Sequence, residues 1–382
     1  MPAADRRRRP LRIALISSSF APYVGGVEEH VAQVGRSLVQ RGHAVEVWTV
    51  DRGRRPDAAA APLTVRYLPT PLPARRIPNL VRFAVTAPRA WAQWRRAARE
   101  FRPDVLVVQC FGPNGVYANR LHRGSGVPLV VVSHGETLGD DDGAFAQSAL
   151  LRSSLRESLG AASAIVAPSK YVLADLRERF GAGEGTVIPN GVAEMPSFDD
   201  VVRRDDLIVA VGRLGRMKGF DLLIDAFAQA DLKGAELEIV GDGPERAALQ
   251  QRIDDAGLSG RVRLRGALDA SGVAERIAAA TLVVVPSRSE SFGIVALEAW
   301  RGGAPLVMTV RGGASEFIRD GVDGILVDPE DTSSLAQALR RVMSDAALRS
   351  ELAERGRERV GAFSWSGVAR LYEVMLAAVS RR

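Results

Sequence analysis

Two carboxylates and two cations in the second half of the chain have the spacing of a site for a phosphorylated sugar. The carboxylates end the segment Glu290-Ser-Phe-Gly-Ile-Val-Ala-Leu-Glu298, and the cations, Arg213 and Lys218, lie in Gly212-Arg-Leu-Gly-Arg-Met-Lys-Gly219. The apolar run Thr281–Pro286 reads as a buried parallel strand, and a helical pattern continues from Ile294 through Trp300. Glu290 then falls in the loop past the strand's carboxyl end, and Glu298 about one turn inside the helix. Between them Ser291, Phe292, Gly293 and Ile294 open that helix, where free N–H groups and the dipole favour an anion. Gly293 lets an anion approach the backbone. From Ile294 to Glu298 a helix rises roughly 6 Å, about the reach from a diphosphate to a ribose. Arg213 and Lys218 on one strand-to-helix loop can hold a diphosphate and stabilise charge growing on it. The plainer reading of that loop is a helix start with solvated cations.

Three further loops sit at strand ends. Pro22-Tyr-Val-Gly-Gly-Val-Glu-Glu-His30 follows the first strand, and Gly25 and Gly26 allow backbone approach to a phosphate at the following helix start; a tight turn is the alternative. This loop lacks the G-x-G-x-x-G dinucleotide fingerprint. His134 ends Leu129-Val-Val-Val-Ser133 and can donate a hydrogen bond to a sugar hydroxyl, although a lone histidine there is also commonly structural. His30, His43 and His122 are scattered, and no pair has metal-ligand spacing. Gly241-Asp-Gly-Pro-Glu-Arg246 reads as a structural turn, and the glycines of Arg311-Gly-Gly313 as facing the same ligand as Glu290.

Positioning these groups requires strands alternating with helices, an α/β fold with parallel sheets. The strand candidates are Arg12–Ser17, Ala44–Val50, Val65–Pro69, Asp104–Gln109, Leu129–Ser133 and Ala164–Pro168, then Leu207–Gly212, Glu236–Gly241, Val262–Arg265, Thr281–Pro286, Leu306–Val310 and Ile325–Asp328. Val187–Asp206, rich in Pro, Gly and acids, reads as a linker. The expected domains are 1–187 and 188–363, with a last helix over 364–382 returning to the first through Phe363 and Trp365.

At 382 residues the chain suits two α/β domains of about 190 each. Cys110 is the lone cysteine, and no apolar run reaches the ~18 residues of a membrane span. With no secretory leader pattern behind Arg6–Arg9, a cytoplasmic protein is expected. Net charge is +6, carried almost wholly by arginine, since lysine occurs only at Lys170, Lys218 and Lys233. The basic, aromatic stretch Ala87–Glu100, with Trp91, Trp94, Arg95, Arg96 and Arg99, can rest on an anionic membrane. The alternative turns the tryptophans inward. Asp140–Asp142 reads as a solvated loop run, and nucleic acid is not an expected partner.

Taken together these segments resemble retaining glycosyltransferases of the GT-B fold, family 4. The resemblance rests on Gly25-Gly26, Ser133-His134-Gly135, Pro189-Asn-Gly-Val192, Gly212-Arg213 to Lys218-Gly219, Gly241 to Pro244, Glu290 to Glu298-Ala299, and Asp320-Gly321 to Val327. It implies two facing Rossmann-like domains, acceptor and donor, with the ligand in the cleft. It implies that Glu298 accepts from ribose hydroxyls, and that Glu290 with the Phe292 and Gly293 N–H groups holds sugar hydroxyls and phosphate. Arg213 and Lys218 would stabilise the leaving diphosphate, Gly26 would approach it, and His134 would reach the sugar. The co-substrate would be a UDP- or GDP-sugar, with no essential metal or cofactor. Ser291 and Trp300–Gly303 depart from the family's commoner small residues. The acceptor stays open among lipid-linked, glycan and small-molecule hydroxyls, read by loops around Tyr67–Asn79 and Gly112–Asn119. The alternatives are a GT-B-fold epimerase, a phosphorylase needing a Schiff-base lysine, and a basic membrane- or nucleic-acid-binding module without catalysis.

Overall fold

The computed structural model describes residues 9–23, 25–53, 63–73, 77–139, 143–193 and 201–380. Asp140–Asp142, Ala58–Ala61, the first residues of the arginine run and residues 194–200 of the expected linker lie outside them. The chain divides into two compact units. One comprises Met1–Pro168, Val172–Ile188 and Trp365–Arg382; the other comprises Ser169–Tyr171 and Pro189–Ser364.

The first unit holds a seven-stranded, all-parallel sheet. Its strands are β1 (Arg12–Ser17), β2 (Ala44–Thr49), β3 (Thr64–Tyr67), β4 (Val105–Gln109), β5 (Leu129–Val132), β6 (Ala164–Ala167) and β7 (Thr186–Val187), in the order β3-β2-β1-β4-β5-β6-β7. The second holds β8 (Leu207–Val211), β9 (Glu236–Val240), β10 (Val262–Gly266), β11 (Leu282–Val285), β12 (Leu306–Thr309) and β13 (Ile325–Val327), in the order β10-β9-β8-β11-β12-β13. Each order reverses once, between β1 and β4 and between β8 and β11. Ligands of open parallel sheets bind past the carboxyl ends of the strands at such a point.

The central strands Leu129–Val132 and Leu282–Val285 are buried throughout, as strands covered on both faces must be. Trp48 and Trp94 meet edge to face at 5.9 Å in the first core. In the second, Phe292 stacks on Phe317 at 4.4 Å, and Trp300 and Phe363 close the same cluster. Such pairs add ~0.5–1.5 kcal/mol each beyond area burial.

The helix expected over Ala87–Glu100 starts earlier, running Ile77–Phe101 with Pro88 inside it. Its tryptophans turn inward: Trp94 is buried and donates from Nε1 to Pro69 O at 3.0 Å, and Trp91 lies under the Arg120 guanidinium. The last helix, Trp365–Val379, belongs to the first unit. Phe363 and Trp365, paired in the sequence reading, part company. Phe363 stays in the core of the second unit, while Trp365 packs on His30 at 5.4 Å in the first.

Candidate active site

In the second unit the reversal between β8 and β11 brings together the two segments that carry the charged residues. After β8, Gly212–Gly215 turn into a short 3-10 turn, Arg216–Lys218, and then the helix Phe220–Ala230. After β11 the chain runs through Ser287–Gly293 into the helix Ile294–Arg301. Lys218 Nζ donates to Glu290 Oε2 at 2.7 Å, and Ser287 Oγ donates to the same oxygen at 2.9 Å. Glu290 is 8% exposed, and about a third of the Lys218 side chain reaches solvent. An ammonium has three N–H donors, so the bond to Glu290 leaves donors on a partly open face. Arg213 is exposed on the same loop.

Backbone geometry explains the glycines. Gly219 sits at φ +66°, and a Cβ there would lie 2.0 Å from Pro286 O, so only glycine lets the two loops touch. Gly312 grips Glu290 in the same way: a Cβ would lie 2.0 Å from Glu290 O. Glu290 N also donates to Arg311 O, and Gly313 N to Glu290 O. The Arg311–Gly313 glycines, read from sequence as facing the ligand, therefore clasp the backbone of Glu290. The Gly241–Pro244 turn buttresses the Arg213 loop, with Leu214 N donating to Asp242 O at 3.0 Å. Arg288 adds a brace that sequence reasoning missed: its guanidinium makes a two-pronged pair with Asp221 at 2.8 and 2.7 Å and donates to Arg216 O.

The helix Ile294–Arg301 opens on Gly293 at φ +91°, where no side chain caps it. The first N–H to bond back into this turn is that of Ala296, on Gly293 O. The geometry of a helix start leaves the earlier N–H groups pointing outward. The Phe292 ring is core, so only its backbone can serve a ligand. Ser291 is half-buried at the entrance, and its carbonyl accepts from Ser169 Oγ. Glu298 lies half-buried on the second turn.

The first unit offers a different chemistry at its own reversal. Gly25 is the extended residue before the helix Gly26–Gln40, and the first turn carries Glu28 and Glu29. A Cβ at Gly25 would meet Glu28 Oε2 at 2.6 Å, so a carboxylate occupies the space beside the glycines. That carboxylate opposes an anion at this helix start, which the sequence alone did not reveal. Past β5, Glu136 folds back to accept from Phe111 N, Ser133 Oγ and His134 N at 2.8, 2.9 and 2.8 Å, and burial raises its carboxyl above the ordinary range. His134 Nε2 lies 2.9 Å from Gln109 Oε1. With the amide oxygen accepting, the proton is on Nε2 and Nδ1 is left as an acceptor. Burial first, and His30 second, hold the imidazole well below its usual pKa. His30, scattered in the sequence, lies 4.6 Å from the His134 ring, centroid to centroid. Among the described residues, no group of three His, Cys, Asp or Glu side chains is placed to hold a metal ion.

Residues 24–194 match the Glycosyltransferase Family 4 description and residues 198–359 match Glycosyl transferases group 1. The chain belongs to the group 1, family 4 glycosyltransferases. The glycosyltransferase chain is 39% identical over 173 residues to the lipopolysaccharide core biosynthesis glycosyltransferase LpsE of Rhizobium meliloti, a match spanning 45% of this chain and 50% of that one. It is 37% identical over 182 residues to a D-inositol 3-phosphate glycosyltransferase of Nocardioides, spanning 43% and 40%. The chain thus spans half or less of the length of these curated relatives. Among solved structures, sucrose-phosphate synthase from Thermosynechococcus elongatus superposes with a TM-score of 0.79 at 26% identity, over 96% of this chain and 99% of that one. Anabaena HepE, solved in complex with UDP and glucose, superposes at 0.78 with 22% identity, over 96% and 100%. The GT-B architecture is shared over nearly the whole chain.

Proposed function

We propose that this chain is a retaining glycosyltransferase that moves a sugar from a nucleoside-diphosphate sugar to an acceptor hydroxyl. The observation that carries the proposal is the Lys218–Glu290 pair at the β8/β11 reversal, beside an uncapped helix start and with Glu298 one turn in. Glu290, the outward N–H groups of the helix start and Glu298 follow one another along the chain as sugar, diphosphate and ribose do in the donor, with Lys218 beside the diphosphate. HepE's complexes with UDP and with UDP-glucose support a UDP-sugar, with a GDP-sugar as the other choice.

In the proposed reaction the bond from the anomeric carbon to the diphosphate oxygen breaks, and a bond to the acceptor oxygen forms on the same face. The acceptor's proton passes to the leaving diphosphate, so no protein nucleophile or base is required. Lys218 and Arg213 stabilise the charge that grows on the diphosphate, and no essential metal enters the scheme. Glu290 positions: its Oε2 is already engaged by Lys218 and Ser287. Glu298 accepts from the ribose hydroxyls. His134, with its Nε2 proton on Gln109, meets a sugar hydroxyl as an acceptor through Nδ1, rather than as the donor read from sequence. Incubating the full chain with a panel of UDP- and GDP-sugars and simple hydroxyl acceptors, and reading the product's anomeric configuration by NMR, tests the proposal. A product of inverted configuration would contradict the retaining mechanism, and an absence of turnover on every donor would contradict the activity.

The outward face of the helix Ile77–Phe101 supports a peripheral contact with an anionic membrane. Leu80, Val81 and Val85 are 50%, 60% and 56% exposed there, with Arg82 and Arg89 exposed beside them. From Ala58 to Arg99 the sequence has eight arginines and no Asp or Glu. Apolar residues ringed by cations are the makings of an interfacial helix, whereas two copies meeting on this face would set arginine against arginine. Co-sedimentation with phosphatidylglycerol vesicles should fall when Val81 and Val85 are both changed to Asn. Equal sedimentation of wild type and variant would contradict the contact.

A further inference from the structure

His134 sits in a cluster with four side chains from distant parts of the sequence inside the first unit, two of which, His30 and Gln109, touch it. His30, from the helix Gly26–Gln40, is 1% exposed and meets the His134 ring edge to face, at 75° between planes. Its Nε2 lies 2.9 Å from the hydroxyl of Tyr372, a fully buried residue of the last helix. Trp365 of that helix also packs against His30, edge to face. Gln109, at the end of β4, accepts from His134 Nε2 and also faces the Tyr372 hydroxyl. Its own Nε2 has no bonded partner of good geometry.

A buried imidazole without such company can rotate about its χ2 bond and exchange tautomers. Here the ring plane is held by His30, the ring of which is oriented by Tyr372. The tautomer is held by Gln109. Burial first, and the nearby His30 ring second, disfavour the charged form of His134. The groups that bear on His134 are His30 from the first helix, Tyr372 from the last, and Glu136 in its own loop, with Cys110 next to Gln109.

We propose that Tyr372 and His30 are positioning residues for His134, fixing its ring plane and its Nε2–H tautomer so that Nδ1 is presented to the substrate. The last helix is then a working part of the site, not only a strap on the first unit. The inference rests on the proposed function for its substrate, but the network itself is tested without it.

The test is 15N-histidine labelling of the full chain, which holds only four histidines, with two-bond 1H–15N correlation spectra recorded against pH. The His134 signals are assigned by their loss in His134→Gln. In the wild type His134 should show one tautomer, Nε2–H, and titrate below the usual histidine midpoint of about 6.5. Tyr372→Phe, which removes one oxygen, and His30→Gln should each give mixed tautomers and a midpoint closer to 6.5. Both should lower turnover roughly tenfold with donor KM little changed. A purely structural role would lower the unfolding midpoint and leave the His134 signals as they were. Unchanged His134 signals in both variants, with near-UV circular dichroism intact, would overturn the proposal even if transfer activity is found. Shifted signals in a protein that transfers no sugar would uphold the network and sink the function it was assigned to serve.

Discussion

The two units share a sheet architecture and a reversal point, yet the loops at those points are built from opposite materials. In the second unit the β8/β11 loops carry an ion pair, Lys218–Glu290, braced by the Arg288–Asp221 pair and clasped by glycines that tolerate no Cβ. In the first, the strand ends carry the His134 imidazole, the Gln109 amide and the Ser133 hydroxyl, with His30, Trp365 and Tyr372 packed nearby and carboxylates at Glu28 and Glu136. A parallel sheet supplies a place for a ligand; the residues at the strand ends decide its charge. A diphosphate suits the second unit, which offers cations and helix N–H groups. The first unit suits hydroxyls, because neutral buried acceptors bind them without competing for phosphate.

Substitutions can break this contrast. The largest effect should come from Lys218→Ala, which removes the cation and strands Glu290 with Ser287. Turnover should fall about 10²–10³-fold, as when a charge-stabilising donor is deleted, with a smaller change in donor affinity. If turnover stays within a few-fold of wild type, the diphosphate is held elsewhere. Glu298→Gln comes next. It keeps the shape and removes the charge proposed to accept the ribose hydroxyls, so donor affinity should drop roughly tenfold, about 1.4 kcal/mol, in a direct titration. The same substitution at Glu136, in the first unit, should leave nucleotide affinity unchanged.

Gly219→Ala probes the fold rather than the charge. A side chain at φ +66° pressed against Pro286 O should separate the two loops and destabilise the second unit by about 1–3 kcal/mol, visible as a lowered unfolding midpoint. An unchanged midpoint would mean that the loops are not held together as described.

The smallest effect sharpens the first-unit side. His134 has a folded pKa below its unfolded value, so the unfolded chain binds more protons between the two. Stability from this group is therefore present above about pH 6.5 and is lost as pH falls toward the folded value. His134→Gln should flatten that part of the stability–pH curve, measured by denaturant unfolding. Glu136, raised by burial, acts in the opposite sense: its stabilising share is present below the ordinary carboxyl range and is lost as pH rises through the folded value. A slope that survives His134→Gln would place the titration elsewhere.

Much of this contrast was legible in the sequence because short runs of Val, Ile and Leu ending in Gly, Ser or a charge mark parallel strands. Each strand candidate corresponds to a strand of the two sheets within a residue or two at either end, and among the described residues the two-residue β7 is the one strand without a candidate. Lys218 and Glu290 could be found because each stands past a strand end, though nothing in the spacing says that residues 72 apart share one bond. The first-unit network was not legible. His30 faces into the unit only because its helix turns that face onto the sheet, and its partner Tyr372 is 342 residues away. The sequence reading begins the long helix at Ala87, one residue before Pro88. Pro88 lies within the helix instead, eleven residues past the start at Ile77. Trp91 and Trp94 take the inward alternative, since large aromatics more often serve the core than the surface, and the exposed apolar residues lie earlier in the helix, at Leu80, Val81 and Val85.

In the proposed function the second unit binds the nucleoside diphosphate of a sugar donor through Lys218, the helix start at Gly293 and Glu298. The most direct test is calorimetric titration of the full chain with UDP, GDP, ADP and dTDP, repeated on Glu298→Gln. One diphosphate, UDP or GDP, should bind selectively, and Glu298→Gln should weaken it roughly tenfold. No binding by any of the four at millimolar concentration, or equal affinity in the variant, would contradict this mode of binding.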